Sequence, residues 1–325
     1  EYVNINELAN ESIPENERLF MTTTKVYDTE NHNLKVAKNH KAEIGFQLKL
    51  GKVNASVTTF QERLKNGYSL NYTFDTFKPF TIHEYTRNEE GKFILSNSIP
   101  TLNRFYTPTN NMNLKTQGVE FDINVGRIDA IRTSFQLNGA WMRTQSWNNS
   151  YDFYDNTGTG EQKPIAIYEP GAVKNYRQQF TTTLRATHNL PQIGFVVTLT
   201  AQAIWNQSNW KTFGNDTIPM GYISLDKEVT IFPEGKYTTT EQLKADGYDY
   251  LIQIPNHSDA IKESYKPYFC FNINVTKEIS DMLRVSFFAN NMFRSYPRME
   301  SKRNPGTYKS LNNRFFFGLE LSMTL

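Results

Sequence analysis

The last fifteen residues, Leu311 to Leu325, read LNNRFFFGLELSMTL, and from Phe315 onward every odd position is apolar: Phe315, Phe317, Leu319, Leu321, Met323 and Leu325. The even positions include Arg314, Gly318, Glu320, Ser322 and Thr324. Successive side chains of a strand point to opposite faces, so this period of two makes one face greasy and the other polar. A strand whose apolar face is unbroken up to an apolar chain end fits the closing strand of an outer-membrane β-barrel better than a soluble sheet.

The same two-tone pattern recurs. Ala42, Ile44, Phe46, Leu48 and Leu50 oppose Glu43, Gln47 and Lys49; Val53, Ala55 and Val57 oppose Asn54, Ser56 and Thr58. Between them Gly51-Lys52 has the glycine-first form of a two-residue type II′ hairpin, and the apolar parity survives the turn. Further alternating segments centre on Phe121, Leu137, Leu184, Leu199, Phe271 and Phe287. With the terminal strand the chain holds about nine, each near the 9–11 residues that a tilted membrane strand needs. Short links (Gly51-Lys52, Gly126 to Arg132, His188 to Gly194, Lys277 to Met282) alternate with long ones, from roughly Lys65 to Leu114, Asn148 to Asn175, Gln207 to Ser264 and Arg294 to Ser310. Barrels of the outer membrane have short periplasmic turns and long extracellular loops. The expected fold is therefore all-β, a transmembrane antiparallel β-barrel, with residues 1–40 in an extracellular loop and 41–325 forming strands and loops.

Composition agrees. Hydrophobic residues make up 38% and aromatics 14%, below the usual apolar share of about 45–50% but aromatic-rich, as expected when half of each strand lines a watery lumen. Lys+Arg 35 against Asp+Glu 33 gives a net charge of +2, so no nucleic-acid footprint is indicated. No apolar run reaches the length of a transmembrane helix. The single Cys270 excludes an intrachain disulfide, and the opening EYVNIN is not a signal peptide.

At this point the residues resemble a known family. Asn33-Leu34-Lys35 followed by Ala42-Glu43-Ile44-Gly45-Phe46 is similar to the "NPxLKxE…xxEIGF" stretch of TonB-dependent outer-membrane receptors. Val57-Thr58-Thr59-Phe60, Gln117-Gly118-Val119-Glu120-Phe121, Ala289-Asn290-Asn291-Met292-Phe293 and Phe317-Gly318-Leu319-Glu320-Leu321 resemble later strands of that family, in the family's order. His32, Val36, Met292 and Leu325 depart from its usual residues. The resemblance implies nutrient import (glycan, peptide or metal chelate) across the outer membrane, energised through the TonB complex. It also implies a plug inside a barrel of about 22 strands, of which this chain is the C-terminal part. Odd strand count and two strand edges that would otherwise face lipid unpaired lead to the same expectation: the edges at 42–50 and 311–325 pair with strands outside this sequence. The large aromatic loops are similar to those of the SusC/RagA-like branch, whose receptors pair with a SusD-type surface lipoprotein.

No catalytic or cofactor motif is present. The five histidines, His32, His40, His83, His188 and His257, have no metal-ligand spacing and are read as solvated. Asp152, Asp155 and Glu161 match no cation-loop pattern. Glu43, Glu120, Asp122 and Glu320 with Lys49, Arg185, Arg284 and Arg314 are read as a charged lumen wall rather than as an acid–base site. Trp141 and Trp205 close the apolar faces of their strands and suit the membrane-interface girdle. Trp147, Tyr151 and Tyr154, beside Phe153, and Trp210, beside Phe213, are candidate ligand-binding aromatics of an extracellular vestibule. The readings from other classes are a surface-anchored or soluble β-rich binder such as an adhesin, and a passive porin.

Overall fold

The computed structural model describes residues 2–6, 22–156, 162–280 and 282–323; Glu161, Thr324 and Leu325 lie outside them. Nine strands form the wall. They are β1 (Lys38–Leu50), β2 (Val53–Asn71), β3 (Thr107–Ile128), β4 (Thr133–Asn148), β5 (Lys174–Leu190), β6 (Phe195–Thr212), β7 (Tyr268–Ser280), β8 (Leu283–Asn290) and β9 (Phe316–Met323). Each pairs antiparallel with its neighbour in sequence, so the wall is a single meander from β1 to β9 that does not close on itself. A short strand, Glu263–Tyr265, continues the pairing on β6 above β7. Pro267 lies in the gap between it and Tyr268, where the missing N–H of proline interrupts a ladder.

Register confirms the facing read from the alternation. Leu50 pairs with Val53 across the first turn and Phe46 with Val57. Of the two turn residues only Gly51 has positive φ, 58°. Leu199 lies between Ala186 and Ile273, while Thr200 lies between Arg185 and Asn272. The apolar face is bare: Phe46 is 71% exposed, Leu199 46% and Leu319 75%. A soluble sandwich would bury that face against a second sheet. Its exposure along successive strands is what a lipid-facing surface requires.

Close pairing also explains three glycines. Phe121 lies opposite Gly139, Phe60 opposite Gly118 and Phe288 opposite Gly318. A Cβ on Gly139 would meet the Phe121 ring at 2.5 Å, so the ring lies across the bare backbone of the neighbouring strand.

Two expectations are corrected. The central strands are far longer than 9–11 residues: β3 has 22 and β6 has 18. At about 3.3 Å per residue β3 is roughly 70 Å long, and a tilt near 40° leaves it rising about twice the ~25 Å apolar band. Above the band both faces are polar, so the two-tone signal stops although the ladder continues. Three of the long connections are correspondingly shorter, 72–106, 149–173 and 213–267; the fourth, 291–315, is longer because β9 begins only at Phe316, and all four carry structure of their own. The first carries a hairpin, Phe77–Arg87 with Phe93–Arg104. A four-stranded sheet joins Asp152–Tyr154 and Ile165–Tyr168 of the second to Gly221–Ile223 and Val229–Ile231 of the third.

The most buried apolar residues are mainly in these loops. Phe77, Leu102, Phe153, Ile165, Ile167 and Ile223 pack on one face of the small sheet. Ala166, Tyr168 and Leu251, with Tyr154, Tyr222 and Tyr248 against them, pack on the other. Three long connections thus share one core. Because a meander alternates direction, all four long connections leave the same end of the wall.

Candidate functional site

Where β2, β4 and β5 reach that end, their lumen-facing positions carry Asn71, Asn148 and Asn175. Asn148 Nδ2 donates to Asn71 Oδ1 at 2.5 Å, and Asn71 Nδ2 donates to Thr109 Oγ1 at 2.5 Å. The Ser150 hydroxyl donates to Asn148 Oδ1 at 3.0 Å. These side chains line a cleft of about 220 Å³ whose other walls come from the second and third loops, including Tyr151, Asp152 and Asp216. Crowding in the cleft pushes the Asp152 carboxyl up; the Phe153 N–H opposes the shift and the Asp216 carboxylate adds to it. Asp216 is almost fully buried and meets His257 Nε2 at 2.7 Å.

The frame around the cleft is stiff. The Tyr168 hydroxyl donates to Leu251 O at 2.7 Å and accepts from the Gln253 N–H at 2.8 Å, which joins the second and third loops; burial pushes its phenol up. Thr101 Oγ1 donates to Gln162 Oε1 at 2.8 Å, joining the first and second. Tyr72 stacks on Tyr106 at 4.1 Å with the Arg104 guanidinium 4.8 Å from the Tyr72 ring. Desolvation pushes the Tyr72 phenol up to about 12. Arg104 Nη1 is buried without a hydrogen-bond partner among the described residues, a donor whose desolvation costs about 1–3 kcal/mol unless another group meets it.

The fourth connection is clamped to the third. Arg303 Nη1 lies 3.0 Å from Asp259 Oδ1, its Nη2 donates to Asn209 O and its Nε to Ile261 O. Glu263, buried, accepts from the Ser301 hydroxyl at 2.7 Å and the Lys302 N–H at 3.0 Å. Burial pushes the Glu263 carboxyl up, but these donors and the Arg303 charge outweigh it and hold the group below its usual value.

The four aromatics singled out in the sequence are not brought together. Tyr151 lines the cleft, its ring tilted 50° to that of Phe74 at 5.1 Å. Tyr154 packs into the second loop core. Trp147 and Trp210 are wall residues of β4 and β6, not loop residues. By register both lie on the lipid-side face: Trp147 follows Trp141 in parity, and Trp210 pairs with Tyr176, on which it stacks at 5.0 Å and 5°. Trp141 and Trp205 stand at the top of the apolar face, Trp205 beside a bulge, edge-on to Phe269 and donating to Thr182 Oγ1 at 2.8 Å. Sequence reading does not find the asparagine cluster or the Asp216–His257 pair; His257, read as solvated, is exposed on its other side, with 46% of its side chain accessible. Asn148 and Asn175 do stand at the strand ends, but Asn71, to which Asn148 donates, is 77 positions away.

The family described as TonB dependent receptor-like, beta-barrel matches residues 4–292. No curated protein matches the chain. The crystal structure of the outer membrane transporter YddB from Escherichia coli is similar at 14% identity and a TM-score of 0.48, over 93% of this chain and 35% of that one. The chain thus spans about a third of the length of that transporter. With that family model matching residues 4–292, most of its length, the chain belongs to the TonB-dependent receptor β-barrel family of the outer membrane.

Proposed function

We propose that the chain is the C-terminal part of a nutrient importer, completed by a plug and further strands to about 22 and energised through the TonB complex. Both edges of the wall, β1 and β9, pair with strands outside this sequence, since an unpaired edge in lipid costs several kcal/mol per group. Trp141 and Trp205 belong to the outer aromatic girdle.

The cleft at Asn71, Asn148 and Asn175 is part of the recognition site. What carries this reading is its position: amide side chains on the lumen face, at the loop end, under loops held by a common core. Functional residues concentrate on loops carried by a rigid scaffold. Amides, carboxylates and the two tyrosines Tyr151 and Tyr168 form a lining suited to a hydrogen-bond-rich ligand, a glycan or a peptide, more than to an apolar one. A surface lipoprotein of the SusD type would cap the same loop end.

The test is uptake by the full-length receptor of labelled oligosaccharides and oligopeptides from a defined panel. Asn148→Ala, with Asn175→Ala as a second variant, is expected to lower uptake at least tenfold while the folded barrel still resists denaturation in detergent. Unchanged uptake of every panel member that the parent imports would remove the cleft from the site.

A further inference from the structure

The lipid-side face changes character at one row of the register. Below it the strands are mostly apolar on this face, the last such row being Ile44, Thr59, Val119, Trp141 and Phe180 on β1 to β5. Directly above come Gln61, Gln117, Arg143 and Gln178, each opposite the next. Higher still, His40 pairs with Arg63, Arg63 with Lys115 and Lys38 with Lys65. Lys115 pairs with Gln145, Gln145 with Tyr176, and Lys174 with Trp147.

On this outer face of β1 to β5 the register therefore puts Lys38, Arg63, Lys65, Lys115, Arg143 and Lys174, and not one Asp or Glu. The lumen face of the same strands is mixed, with Lys41, Lys49, Arg177 and Arg185 against Glu43, Glu62, Glu120 and Asp122. Among the described residues none of the six outer cations has a carboxylate within ion-pair distance. Two pairs, Lys38 with Lys65 and Arg63 with Lys115, set like charges directly opposite each other, an arrangement that destabilises a sheet unless an anion lies between. Aromatic rings are set among them: the Arg143 guanidinium lies 5.4 Å from the Tyr176 ring and 5.5 Å from Trp210, and Lys262 Nζ reaches within 4.7 Å of the Trp210 ring.

We propose that this belt, just above the apolar band at the long-loop end, binds the phosphate groups of lipid headgroups in the outer leaflet. The commitment to a lipid rests on position. The belt continues the lipid-contacting face upward without a break, it is one-sided in charge, and it begins at the row where hydrocarbon contact ends. A soluble anion or an imported ligand would be met on the lumen side, where the charges already balance. Guanidinium forks suit phosphate oxygens, and each cation near an anionic surface contributes about 1 kcal/mol.

The test uses the full-length receptor in micelles of an uncharged detergent, with phosphorylated lipid A as the probe and native mass spectrometry or competition to measure binding. Removing two cations in R63Q/K115Q is expected to weaken binding about thirty-fold, the equivalent of about 1 kcal/mol for each charge. R143Q/K174Q serves as a second variant, should the first assemble poorly. The lumen-facing control K41Q/R177Q loses the same charge and is expected to stay within about twofold of the parent. Dephosphorylated lipid A is expected to bind weakly to all variants, and molar salt to remove the difference between them. Equal weakening by the lumen control, or equal binding of the phosphate-free lipid, would overturn the proposal. Displacement of the lipid by millimolar inorganic phosphate alone would overturn its assignment to a lipid.

Discussion

A single cation introduced at Leu199 separates a lipid-facing wall from a solvated sheet. Leu199 is the middle of the five outward residues Phe195, Val197, Leu199, Ala201 and Ala203 of β6, so it lies near the middle of the apolar band. Its register partners Ala186 and Ile273 are small or apolar, and neither offers a counter-charge. In water, a residue 46% exposed accepts arginine within about 0.5 kcal/mol. In a bilayer the same change costs about 2–4 kcal/mol at the midplane, or roughly thirty- to several-hundred-fold in the folding equilibrium. The internal control is one residue away. Thr198 faces the lumen between Thr187 and Asn274, and Thr198→Arg is expected to cost under about 1 kcal/mol. The assay is reversible urea unfolding of the full-length receptor in phospholipid vesicles, followed by tryptophan fluorescence. Equal costs at the two positions, or a cost at Leu199 below about 0.5 kcal/mol, would refute the facing.

Other outcomes follow from the turns and loops. Gly194 caps the β5–β6 turn at φ 62°, and a Cβ there would lie 2.7 Å from Glu278 O; Gly194→Ala is expected to lose about 1–2 kcal/mol from the left-handed backbone alone, read in the same unfolding assay. Arg303→Lys keeps the charge but loses the fork that reaches Asp259, Asn209 O and Ile261 O, so amide exchange in 256–265 and 298–310 should quicken while the wall strands stay protected. Asp259 is held below its ordinary value of 3.8, first by the hydrogen bond from Lys211, against burial, and then by the Lys211 and Arg303 charges. A depressed carboxyl contributes stability above its unfolded value and loses it as pH falls through the folded one. The third and fourth loops are therefore expected to loosen below about pH 3.8, and Asp259→Asn to flatten that dependence; an unaltered acid profile of exchange would count against the pair.

The strand count, the facing of each strand and the order of short and long links were legible in the sequence, because the period-2 contrast of apolar and polar faces is a local property. Phe46 against Gln47 and Leu199 against Thr200 declare their sides without reference to any other residue, and Gly51-Lys52 declares the register of β1 on β2. The upper halves of the strands were not legible. Around Lys115 and Arg143 both faces are polar, the contrast vanishes, and only the continuing ladder between strands shows that Trp147 and Trp210 belong to the wall. The site lay further out of reach. The loop core joins Phe77, Phe153, Ile165 and Ile223, and the cleft joins Asn71, Asn148 and Asp216, residues separated by tens of positions. No local pattern encodes such contacts. Whether an aromatic faces lipid, loop core or ligand depends on how three long connections fold over one another, so tertiary structure alone decided it.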